Sequence, residues 1–355
     1  MFLIINPGST STKIAVYHQQ EIVWQTTIRH SVEELSRYGS IFEQLPFRKQ
    51  LILDQLKEAG IDLSSFQAVI GRGGLMKPVP SGVFIVNELM KEHLRMGYQG
   101  QHASNLGGLI AADIAALCPQ DVKAYIADPV VVDEFQPCAR IAGHPLFERN
   151  SKFHALNQKA VARLYARDNG VMYEQLNLIV AHLGGGISVG AHRKGRVVDS
   201  NQTIDGDGPF SPERSGTLPV GQLVDICFSG KYTHREVFAM INGKGGLTAL
   251  CNSNNVLQLV NKAQTGDQYT ELILEAFCYQ IAKEIGAMSA VLKGEVDAII
   301  LTGGIANNSW ITGQIDSYVR FVAPVHVYPG EDEMTALATN VQMALSGEIA
   351  IIEYL

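Results

Sequence analysis

One order of elements occurs twice in this chain, and it limits what the chain can fold into. Near the N-terminus an apolar run (Phe2, Leu3, Ile4, Ile5) stops at Asn6-Pro7-Gly8. A polar stretch follows from Ser9 to Lys13, and Ile14, Val16 and Tyr17 resume an extended pattern. A turn at His18-Gln19-Gln20 leads into a third alternating run, Glu21 to Arg29. At mid-chain, Leu176 to Ser200 repeats the order: apolar strand, glycine turn at Gly184-Gly185-Gly186, second strand from Ile187 to His192, tight turn at Arg193-Lys194-Gly195, third strand from Arg196. Identity between the copies is low, so the duplication rests on pattern. The tip of such a hairpin crowds backbone N–H groups and hydroxyls together, which suits a phosphate oxygen. The same composition also serves ordinary turns.

The chain has 355 residues, enough for two domains with their own cores. A net charge of -7 argues against nucleic acid as the main partner, because a phosphate-backbone binder presents a basic face. Nucleotide binding needs only a few local cations and stays open. The five cysteines are scattered and never in C-x-x-C spacing, which points away from a disulfide framework or zinc site and toward a reducing cytoplasm. No basic n-region precedes Asn-Pro-Gly, so no signal peptide is expected, and no apolar run reaches the length of a membrane span.

Between the repeats, Val32 to Gly60 reads as helical, Ala68-Val69-Ile70 as a buried strand ending at Gly71-Arg72-Gly73-Gly74, Ala103 to Leu117 as a small-residue helix, and Lys123 to Asp128 as a strand. A helical pattern runs from Asn157 to Asp168. Residues 201–220, rich in Gly, Pro and Asp, read as a long loop of the kind that is usually functional or mobile. Helices are expected from Val220 to Phe228, Arg235 to Ile241 and Tyr269 to Leu292. The strand Asp297 to Leu301 runs into Thr302-Gly303-Gly304, and a last helix spans Thr335 to about Leu345. The expected fold is α/β: two lobes, with a cleft between them for a ligand.

Three glycine-rich turns, at Pro7-Gly8, Gly184 to Gly186 and Gly303-Gly304, each follow an apolar strand. None matches G-x-G-x-x-G opening a helix or G-x-x-x-x-G-K-[ST], so dinucleotide-fold and P-loop readings lose ground. Two hairpins clamping phosphates, with the third turn receiving the nucleoside, is the arrangement they suggest.

These residues resemble a known family. Asn6-Pro7-Gly8-Ser9-Thr10-Ser11-Thr12-Lys13 is similar to the N-terminal signature of the acetate and butyrate kinases, members of the superfamily of sugar kinases, Hsp70 and actin. Lys152-Phe153-His154, Ala181-His182-Leu183-Gly184-Gly185-Gly186 and Leu301-Thr302-Gly303-Gly304-Ile305 extend the resemblance over the chain in the family's order. The length and the Gly-Gly-Gly turn, where acetate kinases have Gly-Asn-Gly, look closer to the butyrate branch.

The resemblance implies two duplicated RNase H-like lobes, 1–140 with 335–355 and 141–334, around a central nucleotide cleft. It implies reversible phosphoryl transfer from ATP to a short-chain carboxylate, giving an acyl phosphate. Arg72, Asp128, His154 and Arg214 match the family's catalytic positions. Asn6, Gly8, Ser9, Ser11, Lys13, His182, Gly184, Gly185, Gly186, Gly303, Gly304 and Asn307 match its ATP-binding turns. His102 is a further candidate. Mg2+ is implied, held by Asn6 and an acid of Glu331-Asp332-Glu333. Position-by-position matching falls on Asp332, where the family has glutamate, with Glu333 beside it. Gly73 and Gly74, standing where an acetate site would be crowded, suggest with Phe153 a pocket for about four carbons. A homo-oligomer is implied as well, with no nucleic-acid or membrane partner.

The physics agrees with that chemistry. A carboxylic acid is already ionised at neutral pH, so no general base is needed. Positive charge is needed, because an anion must approach a polyanion, and planar arginines suit both groups. The alternatives are an acetate or propionate kinase, or a sugar-type kinase, which would need a carboxylate base and would usually carry Asp in place of Asn6. A non-catalytic nucleotide-binding module is the third reading, and the chain lacks the length for the appended domain it predicts.

Overall fold

A computed structural model describes all 355 residues. Contacts divide the chain into two compact units. Unit 1 comprises Met1–Val132 and Asp332–Leu355, and unit 2 comprises Asp133–Glu331.

Unit 1 is built on β1 (Phe2–Pro7), β2 (Ser11–His18), β3 (Glu21–Arg29), β4 (Ala68–Arg72), β5 (Val83–Ile85) and β6 (Lys123–Ala127). In β1, Leu3, Ile4 and Ile5 are wholly buried, which is why the run is continuously apolar rather than alternating. β2 returns antiparallel on β1 with Asn6 opposite Lys13, and β3 pairs antiparallel with β2. β4 lies parallel to β1 on the other side, and β6 lies parallel to β4. The helix Asn105–Ala115 is buried along almost its whole length. It approaches β4 so closely that a side chain on Gly71 would meet the Gly107 carbonyl at 2.1 Å. The small-residue pattern of this helix thus sets a backbone-to-backbone contact.

In unit 2, β7 (Asn177–Leu183), β8 (Ile187–Arg193) and β9 (Arg196–Ser200) form the second antiparallel set. β10 (Ala298–Gly303) lies parallel to β7, and β11 (Val325–Pro329) lies parallel to β10. Unit 1 is completed by β12 (Ile351–Ile352), which pairs with β5. The sheet orders are β12-β5-β6-β4-β1-β2-β3 and β11-β10-β7-β8-β9. Five strands therefore run in one order twice, three antiparallel and then two parallel. This is the duplication that the repeat predicts, in the RNase H-like form that the family resemblance implies.

Helices cover the sheet of unit 2. Gln268–Val291 packs Leu274, Phe277, Ile281 and Ile285 into one core with Ile179, Val189 and Ile299. Ala155–Asp168 packs Val161, Ala162 and Tyr165 against Leu178, Val180 and Ile300 on the opposite side of the strands. The chain end is tied into unit 1: Tyr354 meets His93 Nδ1 at 2.7 Å and accepts from the Lys77 amide at 3.0 Å.

One local expectation needs correction, and three elements were not expected. The span 32–60 is not one helix. A single turn, Val32–Leu35, is separated by the Gly39 region from a 3-10 turn at Phe42–Gln44 and the helix Leu45–Glu58, whose first turn holds Pro46. A proline there needs no amide donor and helps start the helix. Two helices, Gly246–Cys251 and Val256–Gln264, and the strand β12 went unread. The first two are short and punctuated by glycine and asparagine, and Asn255 is itself the cap of the second, accepting from the Gln258 amide. No helix is long and apolar enough to cross a membrane.

Candidate functional site

In unit 1, Asn6 is the next-to-last residue of β1, Arg72 ends β4, and Glu333 opens the helix Glu333–Leu345. Chain-distant residues meet here. Asn6 Nδ2 donates to Glu333 Oε2 at 2.6 Å. Arg72 NH1 lies 2.8 Å from Glu333 Oε1, donates to Oε2 at 2.9 Å, and lies 3.5 Å from Asn6 Oδ1. The contacts of Arg72 run through NH1. Asp332, one residue earlier, serves the helix instead. Its carboxylate accepts from the Thr335 amide at 2.9 Å and caps the first turn. The oxygens near Asn6 therefore come from Glu333.

The turn between β1 and β2 is held from behind by a residue that sequence reading missed. Arg48 is fully buried, yet it donates to the carbonyls of Gly8 (2.8 Å), Ser9 (3.1 Å) and Ser11 (3.2 Å), to Thr12 Oγ1 and to Gln44 Oε1. The Gly8 amide closes the turn on the Ser11 carbonyl at 2.8 Å, and carbonyls drawn to one side leave the remaining amides of the turn to face elsewhere, which is what an anion-binding turn requires. Ser9 and Lys13 are exposed, and Gly8 and Ser11 are partly so. Burial lowers Arg48 to about 10, so it stays charged at neutral pH.

Asp128 is buried, with a left-handed backbone (φ 38) before Pro129. Its Oδ1 accepts from Ser81 Oγ at 2.5 Å and from the Gly82 amide at 2.9 Å. A strained non-glycine residue held by such bonds is the kind of feature that functional sites retain. His102 meets Ser104 Oγ through Nδ1 at 2.9 Å. Burial, and then the charge of Arg72, lower its pKa.

Gly73 and Gly74 do not leave open space for an acyl chain. A side chain on Gly73 would meet Pro129 Cβ at 2.5 Å, and one on Gly74 would meet Asn105 Cα at 2.5 Å. Both positions are already filled by neighbours, so close packing accounts for the two glycines. Phe153 is buried, immediately before His154.

In unit 2, the turn Gly184–Gly186 between β7 and β8 gathers the chemistry. A Cβ on Gly186 would lie 2.1 Å from Arg214 NH1 and 3.5 Å from His154 Cε1, so glycine is what lets the guanidinium come this close. Arg214 comes from the 201–220 loop, its NH1 donating to the Thr203 carbonyl at 2.9 Å. Burial lowers its pKa, but a guanidinium remains charged. The rings of His154 and His182 stack at 3.8 Å with a 12° interplanar angle. His182 Nδ1 donates to Asn157 Oδ1 at 2.7 Å. Its Nε2 lies 2.7 Å from Glu331 Oε1, close but out of line for a hydrogen bond.

Beside this turn is a cavity of about 740 Å³. Gly184, Gly185, Gly304, Asn307 and Glu331 line it, together with Pro212, Glu213 and the segment Asn254–Leu257. Its walls mix apolar side chains (Val256, Leu257, Ile305) with amides (Asn254, Asn255, Asn307, Asn308) and carry no cation, the character of a site for a neutral planar ring rather than for phosphate. Gly303 ends β10 inside the unit, while Gly304 is exposed at the cavity. The Asn254–Leu257 wall was not anticipated; the only sequence signal was the run Asn252-Ser253-Asn254-Asn255.

No group of three or more His, Cys, Asp or Glu side chains is arranged to hold an ion. The Asn6 amide and the Glu333 carboxylate do supply oxygen donors, and that fits Mg2+, which keeps most of its shell as water and phosphate.

Residues 146–317 match the Acetokinase family. The chain is 56% identical over 352 residues to "Butyrate kinase 1" of Clostridium acetobutylicum, covering 99% of each. It is 53% identical over 346 residues to a "Probable butyrate kinase" of Clostridium botulinum, covering 98% of this chain and 97% of the other. Its fold is similar to that of an acetate kinase from Porphyromonas gingivalis, with a TM-score of 0.80 at 17% identity over 96% of this chain and 99% of the other.

Proposed function

The chain belongs to the acetokinase family, and on that premise we propose that it phosphorylates butyrate or a branched analogue. The reaction is ATP-dependent phosphorylation of a carboxylate to an acyl phosphate. A carboxylate oxygen attacks the γ-phosphorus, the bond from that phosphorus to the β–γ bridging oxygen breaks, and ADP leaves. No proton moves, because the acid arrives ionised.

The observation that carries the residue assignments is the approach of Arg214 NH1 and His154 to Gly186, on a turn that borders the cavity. In our reading that cavity takes the adenosine, and the turn Gly184–Gly186, closed by the Gly184 amide on the Gly186 carbonyl, takes phosphate oxygens through the Gly185 and Gly186 amides. Arg214 and His154 then face the transferring phosphoryl group, where charge must be stabilised. His182 orients His154 by stacking. In unit 1, Arg72 binds the substrate carboxylate, the turn Gly8–Ser11 binds phosphate, and Asp128 fixes the end of its strand. Glu333 and Asn6 would hold Mg2+, which would neutralise phosphate charge.

The localisation we propose is cytoplasmic, in keeping with five free cysteines. We also propose a homodimer. Val220, Val224, Phe228, Tyr232 and Phe238 expose apolar surface on the helices Val220–Cys227 and His234–Ile241 and the turn between them, and a second copy would cover it. Sedimentation of wild type against Phe228→Glu tests this: a wild-type monomer would refute the dimer.

The functional test is a comparison of acyl phosphate formation, trapped with hydroxylamine, across acetate, propionate, butyrate, isobutyrate and sugars. Butyrate or isobutyrate should give the highest kcat/KM and sugars none. Arg72→Ala and Arg214→Ala should abolish turnover while sparing ATP binding. Equal use of acetate would remove the chain-length assignment, and active arginine variants would remove the site assignment.

A further inference from the structure

Behind His154, unit 2 holds a buried chain of polar side chains: Ser188, Gln158, His192 and Tyr173. Ser188 and His192 come from β8, Gln158 from the helix that His154 caps, and Tyr173 from the turn before β7. The direction of each hydrogen bond can be worked out from one backbone atom.

Gln158 Nε2 lies 3.0 Å from the Ser188 carbonyl oxygen. A carbonyl only accepts, so this end of the amide is its NH2 and the other end its oxygen. That oxygen lies 2.9 Å from His192 Nε2, which must therefore carry a hydrogen. His192 is fully buried, and burial, followed by the charges of Lys159 and Arg163, lowers its pKa well below the ordinary value. The ring is neutral, its Nδ1 is bare, and Tyr173 donates to it at 2.7 Å.

On the other side, the same Gln158 NH2 donates to Ser188 Oγ at 2.8 Å, and the His154 amide donates to that oxygen at 3.4 Å. With Ser188 Oγ accepting from both, its own hydrogen goes to His154 Nδ1, 2.8 Å away. His154 Nδ1 is an acceptor, and its ring proton sits on Nε2.

We infer that Gln158, acting through Ser188, is a positioning residue that locks His154 in the Nε2–H tautomer, so that the ring offers a donor and not a lone pair to the transferring phosphoryl oxygens. The inference rests on the reading of His154 as a group that touches the phosphoryl. A lone pair facing a phosphate oxygen would repel where the reaction needs attraction. The identity of Gln158 is thereby explained: of its two ends, one must give and the other must accept, and a glutamate or methionine cannot do both.

The test is a long-range proton–nitrogen spectrum of the full-length protein labelled with 15N-histidine, with the His154 signals identified by their loss in His154→Gln. Wild type should show the proton on Nε2. Ser188→Ala and Gln158→Met should each give mixed tautomers, with kcat reduced in proportion to the Nε2–H fraction that is lost, by about twofold to tenfold. KM for ATP and for the carboxylate should stay within about threefold of wild type, since neither residue is proposed to bind substrate. Ser188→Ala leaves the bonds of Gln158 to the Ser188 carbonyl and to His192 in place, so it keeps the test intact if Gln158→Met fails to fold. A wild-type proton on Nδ1, or an unchanged tautomer in Ser188→Ala, would overturn the inference. A changed tautomer with unchanged kcat would uphold the lock and overturn the role of His154 in catalysis.

Discussion

Glu333 grips Arg72 with both carboxylate oxygens on the same guanidinium nitrogen, at 2.8 and 2.9 Å. The pair joins the end of β4 to the start of the last long helix, and Asn6 completes it by donating to Glu333. An arginine held by one nitrogen keeps the rest of its planar fork available for a second carboxylate.

From this contact follows a contrast between neighbouring acids. Glu333→Gln removes a charge-assisted contact of about 1.5–3 kcal/mol, equivalent to roughly a tenfold to hundredfold loss. We expect kcat/KM for the carboxylate to fall by that factor and the Mg2+ concentration for half-maximal rate to rise. Asp332→Ala should do neither. It removes a helix cap and should cost about 1 kcal/mol of stability, read by denaturant unfolding. If Asp332→Ala altered the Mg2+ requirement as strongly as Glu333→Gln, the assignment of the nearer acid would be wrong.

At the second glycine turn the prediction is about space. In Gly186→Ala the new methyl would lie 2.1 Å from Arg214 NH1, so the guanidinium must move. The atom displaced is the end of a flexible side chain, so the melting temperature should hardly change. A misplacement of about 1 Å can cost a hundredfold in rate, and kcat should fall by at least tenfold. Gly185→Ala meets no atom within 4 Å and should leave Arg214 in place, with any effect confined to KM for ATP. Equal kcat losses in the two variants would mean that the approach of Arg214 is not what makes the turn sensitive.

The fold was legible because each repeat carries two signals at once. Ile4 and Ile179 sit in continuously apolar strands, and a glycine turn follows each. The helices Gly246–Cys251 and Val256–Gln264 were not, since in short segments the capping glycine and asparagine look like loop. The site was legible where a residue borders a glycine turn, as His182 does, or stands in a distinctive loop, as Arg214 does. It was illegible wherever a polar side chain turns inward. Arg48 and Gln158 lie on helices where a polar residue ordinarily faces water, yet both are wholly buried. Only the packing of the helix reveals that. Gly73 and Gly74 failed for the opposite reason: absence of a side chain was read as open volume, but the neighbouring backbone and Pro129 fill it.

Arg48 gives the next prediction. Arg48→Leu leaves the carbonyls of Gly8 and Ser9 without their donor, and that of Ser11 with only the Gly8 amide. At about 1–3 kcal/mol for each buried unsatisfied group, partly relieved by water, a loss on the order of 3 kcal/mol is expected. The melting temperature should drop by roughly 5–10 °C. Arg48→Lys keeps charge but not the fork, and should recover only part of this. Because the turn is the proposed phosphate site of unit 1, KM for ATP should rise in both variants at temperatures where they remain folded. A lower melting temperature with unchanged KM would separate stability from binding and remove this turn from the nucleotide site.

The last prediction concerns pH. Glu284, on the helix Gln268–Val291, is raised to about 7, chiefly by burial and then by the charge of Asp207, with Arg149 acting the other way and Asp199 adding to the rise. Arg149 is already committed to Asp199 at 2.9 Å and to Asp207 at 3.7 Å, so little of its charge serves a third carboxylate. A carboxyl whose pKa rises on folding binds its proton more tightly in the folded state. Between the ordinary carboxylate range and pH 7 the folded chain therefore holds a proton that the unfolded chain has lost, and stability falls as pH climbs through that window. At about 1.4 kcal/mol per pH unit, the cost above pH 7 is on the order of 3–4 kcal/mol. Glu284→Gln keeps the shape and removes the charge. It should therefore match wild type near pH 4.5 and exceed it by about 3–4 kcal/mol at pH 8, as measured by urea unfolding at both pH values. An equal stability difference at the two pH values would show that Glu284 carries no proton on folding, and that Arg149 neutralises all three acids.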